Sequence, residues 1–127
     1  MAKLSLKERL LKRKGVLAKT TVTLIDLGKV ELHEIKSEQR GLLKDACTRD
    51  GEVDQSRFNK MMIAAALHDE DGNLVFDEAF KREYGTHDDA EIIDDILKDG
   101  EVAYLNMSLQ ELMGYGNFAQ EEEELKN

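Results

Sequence analysis

Apolar residues recur along this chain with two different periods. In Val30-Glu31-Leu32-His33-Glu34-Ile35 they alternate with polar ones, which puts Val30, Leu32 and either Glu34 or a bulged Ile35 to one side. The β-prone run Thr20-Thr21-Val22-Thr23-Leu24-Ile25 precedes it, across the turn residues Asp26-Leu27-Gly28-Lys29. An antiparallel hairpin is predicted. A lone hairpin is marginal in water, so this one must pack on helices.

From Ser37 onward the period is helical. Ser37 is placed to cap a helix over residues 38–48 with Leu42, Leu43, Ala46 and Cys47 as its buried stripe. Asp54 caps a second helix over 55–67, where Phe58, Met61, Met62, Ala65 and Ala66 share a face that Ile63 and Leu67 widen. That helix should be the most buried, with Phe58, Met62, Ala65 and Ile93 in the core. Residues 77–84 can form a further short helix. Thr86-His87-Asp88-Asp89 opens the next, followed at helical spacing by Ile92, Ile93, Ile96 and Leu97. Gly100 is expected to interrupt it. Val102, Leu105, Leu109 and Leu112 continue the period, with Ser108 and Glu111 as a restart. Gly114 and Gly116 then break the chain before a short acidic helix over 118–126. The fold class predicted is mainly α: a single helical domain over residues 20–127 with a small N-terminal antiparallel β-hairpin, preceded by a basic arm over 1–19.

Composition agrees with a helical chain. Proline is absent from the 127 residues, where average usage would supply about six. No stretch approaches the ~20 apolar residues of a membrane span, and no apolar run follows the N-terminal lysines as in a signal peptide. A cytoplasmic protein, neither secreted nor membrane-bound, is expected.

Charge is distributed unevenly. Residues 1–14 carry six basic side chains against Glu8, a net +5, and residues 15–68 balance. Residues 69–127 carry eighteen acidic and four basic groups, a net −14. The acidic half opposes nucleic-acid binding, which needs Lys and Arg against phosphate, and favours solubility or a basic partner. In the arm, Ser5-Leu6-Lys7-Glu8 is a capping-box pattern for a helix that ends before Gly15, with Leu6 and Leu10 on one face joined by Leu11. A solvated or loosely docked arm, a partner-binding amphipathic segment, and a membrane-surface or nucleic-acid contact all fit it.

The candidate chemistry is sparse. Aligned as a calcium-binding EF-hand loop with Gly72 at position 6, the stretch 67–78 puts Asp69 at 3, Asp71 at 5 and Glu78 at 12. Position 1 is Leu67, which has no side-chain oxygen, so no metal is expected. A tight turn with Gly72 or Asn73 left-handed is the simpler reading. The single cysteine, Cys47, excludes an intramolecular disulfide and a Cys-based zinc site, and reads as a small half-buried residue. His33, His68 and His87 are far apart in sequence, without the spacing of a metal-binding helix; His68 reads as a helix C-terminal residue. Asp88, Asp89, Asp94 and Asp95 read as the water-facing side of a helix. Gly114-Tyr115-Gly116 is not a phosphate loop. The chain reads as non-enzymatic and without cofactors.

The order of these features resembles the small tail assembly chaperones of long-tailed bacteriophages, of the siphovirus and myovirus type, especially those infecting Gram-positive hosts. The resemblance spans roughly residues 19–127. It rests on the hairpin, the apolar helix, the Asp69-Glu70-Asp71-Gly72 turn before Phe76, and Lys126-Asn127 after the Gly-containing break and a helix. It implies a protein that binds the tape measure protein, keeps it soluble and assists assembly of the tail tube around it. The tail tube protein and a second copy of the chain are further partners. Such a role needs adaptable apolar surface, for which methionine is suited. Met107, Leu112, Met113, Tyr115 and Phe118 are the candidate contact residues, and Met61 and Met62 read as core. A calcium-responsive or regulatory binding module centred on residues 69–78 is the alternative.

Overall fold

The hairpin forms where the alternation places it. Lys19–Leu24 (β1) and Gly28–His33 (β2) pair antiparallel, with Thr20 opposite Leu32 and Val22 opposite Val30. The computed structural model describes residues 4–115. The strands are joined through Ile25, Asp26 and Leu27, and the Leu27 amide donates to the Leu24 carbonyl at 3.2 Å. Asp26 and Gly28 both take positive φ there; Asp tolerates this better than most residues and Gly freely. Val22, Leu24 and Leu32 turn into the core, as does Ile35 beyond the strand, while Lys19, Thr21 and Thr23 face water.

The fold has more strand than predicted. A two-residue strand, Leu67–His68 (β5), pairs with the far side of β2, giving a sheet of order β1-β2-β5. Thr48–Arg49 (β3) and Glu52–Val53 (β4) make a second, minimal hairpin. Its turn is Asp50-Gly51, with φ of 52° and 80°. Asp-Gly is the pair that a two-residue turn with both φ values positive selects.

The remainder is helical: Leu6–Lys12 (α1), Ser37–Ala46 (α2), Gln55–Ala66 (α3), Glu78–Tyr84 (α4), Asp89–Ile96 (α5) and Asp99–Leu112 (α6). Four start where a capping side chain was read or available. The side chains of Ser5, Asp54, Asp77 and Asp88 accept from the backbone amides of Glu8, Arg57, Phe80 and of Ala90 and Glu91, respectively. Two starts differ. Lys36, not Ser37, occupies the cap position of α2 and makes no side-chain cap bond. The first turn of α6 contains Gly100, so the expected interruption lies instead at Leu97–Lys98, where the Glu101 carboxylate accepts from the Lys98 amide at 2.8 Å. From there α6 runs without the restart expected at Ser108.

The core is one cluster around α3. Met62, Ile63, Ala64 and Ala66 pack with Ile92 and Ile93 of α5, Leu105 and Leu109 of α6, and Leu32 of β2. Several expected positions shift. The backbone turns extended after Ala66, so Leu67 leaves the helix and enters the sheet opposite Leu32, still buried. Phe58 and Ala65 are half-buried, because they lie on the flank of the α3 stripe. Leu42 and Ala46 are exposed, since α2 contacts the core through Leu43 alone of that stripe, with Cys47 buried just past its end. Ile96 is exposed because α5 ends there and Leu97 takes the inward position. Among the described residues no helix is long and apolar enough to cross a membrane.

Candidate functional site

The four candidate contact residues that are described, Met107, Leu112, Met113 and Tyr115, fall in the C-terminal half of α6 or just past it, but they do not make one patch. Met107 stands on the outer face, 54% exposed. It follows Tyr104 by three residues and Ala103 by four, so the three form a helical stripe turned away from Leu105 and Leu109. Leu112 and Met113 are half-buried and pack on the core. Together with Gly114, Lys12, Arg13, Val16, Ala18 and Glu34 they line a cavity of about 560 Å³. Met113 also closes the helix and lies with its sulfur 3.9 Å from an Arg40 guanidinium nitrogen. Tyr115, 58% exposed, has been carried to another side by the turn at Gly114, whose φ is 97°. It lines a space with Ser37, Arg40, Gly41 and Phe58. Phe118 and the acidic helix expected over 118–126 lie outside the described residues.

Among the described residues, sequence reasoning missed the most exposed large apolar side chain. Ile25 at the tip of the first hairpin is 88% exposed, and Leu27 beside it is also exposed. The tip approaches the start of α6. Thr23, Leu24, Ile25 and Asp26 line a largely apolar cavity of about 430 Å³ with Lys98, Gly100, Glu101 and Tyr104. The signal was available: two large apolar residues flank Asp26 in a turn, where polar residues are usual.

Of the methionines in α3, Met62 is fully buried, while Met61 is half-buried with its sulfur 3.3 Å from Cys47 Sγ. Burial pushes the Cys47 thiol above its ordinary pKa, which suits a packed side chain and works against a thiolate nucleophile.

The Asp69–Asn73 segment is a tight turn with Gly72 left-handed. Asp69 Oδ1 accepts from the amides of Asp71 and Asn73, both at 2.9 Å, and these bonds hold its carboxyl below the usual carboxylate range. The Asp69 amide donates to the Asn73 carbonyl at 2.9 Å. One of the two Asp69 carboxylate oxygens thus serves its own loop.

The histidines are not all apart. Strand pairing of β2 with β5 stacks His33 on His68, with ring centroids 3.6 Å apart and planes within 6°. Glu31 Oε1 lies 2.9 Å from His33 Nε2, and that bond lowers the Glu31 pKa. His68 is a strand residue, although its Nδ1 still reaches back to the last helical carbonyl, Ala66 O, at 2.7 Å.

The acidic residues of α5 do more than face water. Asp88 meets Arg57 at 3.2 Å and Asp94 meets Lys60 at 2.8 Å, both on α3. Asp89 meets Lys81 at 2.9 Å and Asp95 accepts from the Tyr84 hydroxyl, both on α4. The Arg57 guanidinium and the two cap bonds hold Asp88 below its ordinary pKa, and the Asp95 partner pushes Tyr84 up to about 12. These pairs fix α5 between its neighbours around the apolar contact of Ile92 and Ile93.

Three comparisons bear on this fold. The bacteriophage HK97 tail assembly chaperone is similar in structure, with a TM-score of 0.55 and 18% identity over 84% of this chain and 99% of that one. At that identity the likeness is one of fold. No curated protein matches the sequence. The family model for the phage XkdN-like tail assembly chaperone protein matches residues 5–126, nearly the whole chain, and the chain belongs to that family.

Proposed function

We propose that this phage tail assembly chaperone binds the tape measure protein in the cytoplasm of the bacterial host, keeps it soluble, and hands it to tail tube subunits. The family match carries the reading; the exposed apolar side chains at the end of α6 support it by supplying a contact surface. A long helical client offers apolar stripes. Met107 and Tyr115 present large side chains from two sides of the α6 terminus, and methionine in particular repacks against varied surfaces. Leu112, Met113 and Phe118 complete the proposed contact. The acidic composition of the chain's second half keeps such a surface in solution. The role is binding, not catalysis, and uses no cofactor.

The test is co-expression with the tape measure protein of the same genome. Wild-type chain should hold that protein in the soluble fraction and co-purify with it. Aromatic residues at interface centres are worth ~2 kcal/mol or more, so Phe118→Ala should weaken binding about tenfold or more without unfolding the domain. A chain truncated after Gly114 that still solubilises the client at wild-type ratios would remove Tyr115 and Phe118 from the contact.

A further inference from the structure

Three basic side chains of α3 and α4 meet carboxylates of α5: Arg57 with Asp88, Lys60 with Asp94 and Lys81 with Asp89. On α2 the pattern stops. Among the described residues no carboxylate pairs with Arg40 or Lys44. The two are four residues apart, so they neighbour each other on one side of α2, while Glu38 and Asp45 lie round the helix from them by the same spacing.

Arg40 and Lys44 line the cavity of about 430 Å³ that Tyr115 enters, and its lining carries no acidic side chain. Val53 and Phe58, both half-buried, give it an apolar floor. Arg40 is held over that floor, with one guanidinium nitrogen 3.4 Å from Ser37 Oγ and the other 3.9 Å from the Met113 sulfur. The chain carries the complement a short way on. Tyr115 is the last described residue, and beyond it come four consecutive carboxylates, Glu121–Glu124, followed by Leu125. The six steps from Tyr115 to Glu121 span up to ~20 Å of extended chain, which brings the acidic run within reach of the whole cavity.

We propose that the C-terminal segment folds back on its own chain, with Glu121–Glu124 against Arg40 and Lys44 and Leu125 against Val53 and Phe58. An arginine offers two parallel N–H groups to a carboxylate, the strongest form of such a bond. A tether this short sets an effective concentration on the order of millimolar, so a seat with an intrinsic dissociation constant of ~1 mM is half filled without any partner. The segment then covers the basic side of α2, and an acidic stretch of another protein reaches that side only by displacing it. Phe118 has no part in the seat, so the contact stands or falls apart from the client reading.

Amide spectra of the full chain, without any client, test this. Replacing the four glutamates by glutamine (E121Q/E122Q/E123Q/E124Q) should shift the amides of Gly41, Lys44 and Phe58. Those of Thr23 and Ile25 should stay in place, because the hairpin tip lies by the start of α6 and Tyr115 follows its end. Salt at about 0.5 M should move the wild-type amides in the same direction. Lys44→Glu should reproduce the shift at Phe58 and melt at the wild-type temperature, since the Lys44 side chain is exposed. With Cys47 replaced by alanine, Lys44→Cys/Glu122→Cys should close an intrachain disulfide about tenfold faster or more than Lys29→Cys/Glu122→Cys, whose first partner lies in the distant hairpin. Amides of Gly41, Lys44 and Phe58 unmoved by the glutamine variant, equal closure at Lys44 and Lys29, or disulfides formed solely between chains would overturn the proposal.

Discussion

Replacing Ile93 by alanine tests the core at its tightest point. Ile93 is 0% exposed and packs from α5 into the same cluster as Met62, Ile63, Leu105 and Leu109. Truncation removes three carbons and leaves a cavity whose walls belong to three helices. Two of those walls resist collapse, because Arg57–Asp88 and Lys60–Asp94 hold α5 at a set distance from α3. The cost should therefore sit in the upper half of the range for Ile→Ala, about 3.5–5 kcal/mol. Phe58 makes the natural control. It is a larger side chain but only half-buried, so Phe58→Ala loses part of its transfer energy and opens no closed cavity, about 1.5–2.5 kcal/mol. Urea denaturation followed by far-ultraviolet circular dichroism measures both, with the midpoint reporting stability as long as the slope is unchanged. The ordering is the sharp claim. If Phe58→Ala costs more than Ile93→Ala, or Ile93→Ala costs less than about 1.5 kcal/mol, the packing described around α3 is wrong.

Stability should fall with acid partly through Asp88, whose folded pKa lies below its unfolded one. That contribution is complete above the ordinary aspartate range and is lost as pH drops through the folded value, so Arg57→Met should flatten the acid limb of a melting-temperature profile. At the alkaline end, the Tyr84 phenol should titrate by absorbance near 12, and Asp95→Asn should bring it down toward the ordinary tyrosine value; an unchanged titration would remove the Tyr84–Asp95 bond. Its folded pKa is raised, so the stability it contributes is full below the unfolded value and lost as pH climbs through the folded one. Calorimetric titration with millimolar calcium should show no saturable heat at residues 69–78, and a saturating isotherm abolished by Glu78→Ala would reverse that. Asp69→Ala should lower the melting temperature by freeing two loop amides, each bond being worth about 1 kcal/mol.

What the sequence disclosed was whatever had a long enough period or a cap. Val30 and Leu32 announced β2 by alternation, and Asp54 announced α3 by chemistry that a single side chain carries. The two-residue strands had no period to read. β5 exists because Leu32 needs a neighbour across the sheet, a tertiary demand that Leu67 meets by leaving a helix whose pattern it would otherwise extend. The Asp50-Gly51 hairpin was legible in principle, but its flanks are charged, so the turn signal stood without apolar strands beside it. Gly100 misled because glycine costs helix stability in the interior, whereas here it falls in a first turn. The acidic side of α5 looked like solvent because its partners, Arg57, Lys60, Lys81 and Tyr84, come from other helices. For the proposed contact residues, the sequence pattern carried the helical period of α6 but not which way each side chain faces. Met107 and Leu112 are five residues apart, which on a helix places them on different sides.

The buried thiol beside Met61 gives the protein an internal clock. Cys47 is 1% exposed, so an alkylating reagent reaches it only when the junction between α2 and β3 opens. With reagent in excess and reclosing fast, the labelling rate divided by that of a free thiol is the equilibrium fraction of open molecules. A rate matching the urea-derived stability would mean that this junction opens only with the whole fold. A faster rate would mark α2 as a flap that lifts while the α3 core stays shut. One unmodified cysteine thus makes the chain its own reporter, in a cell lysate as readily as in a cuvette.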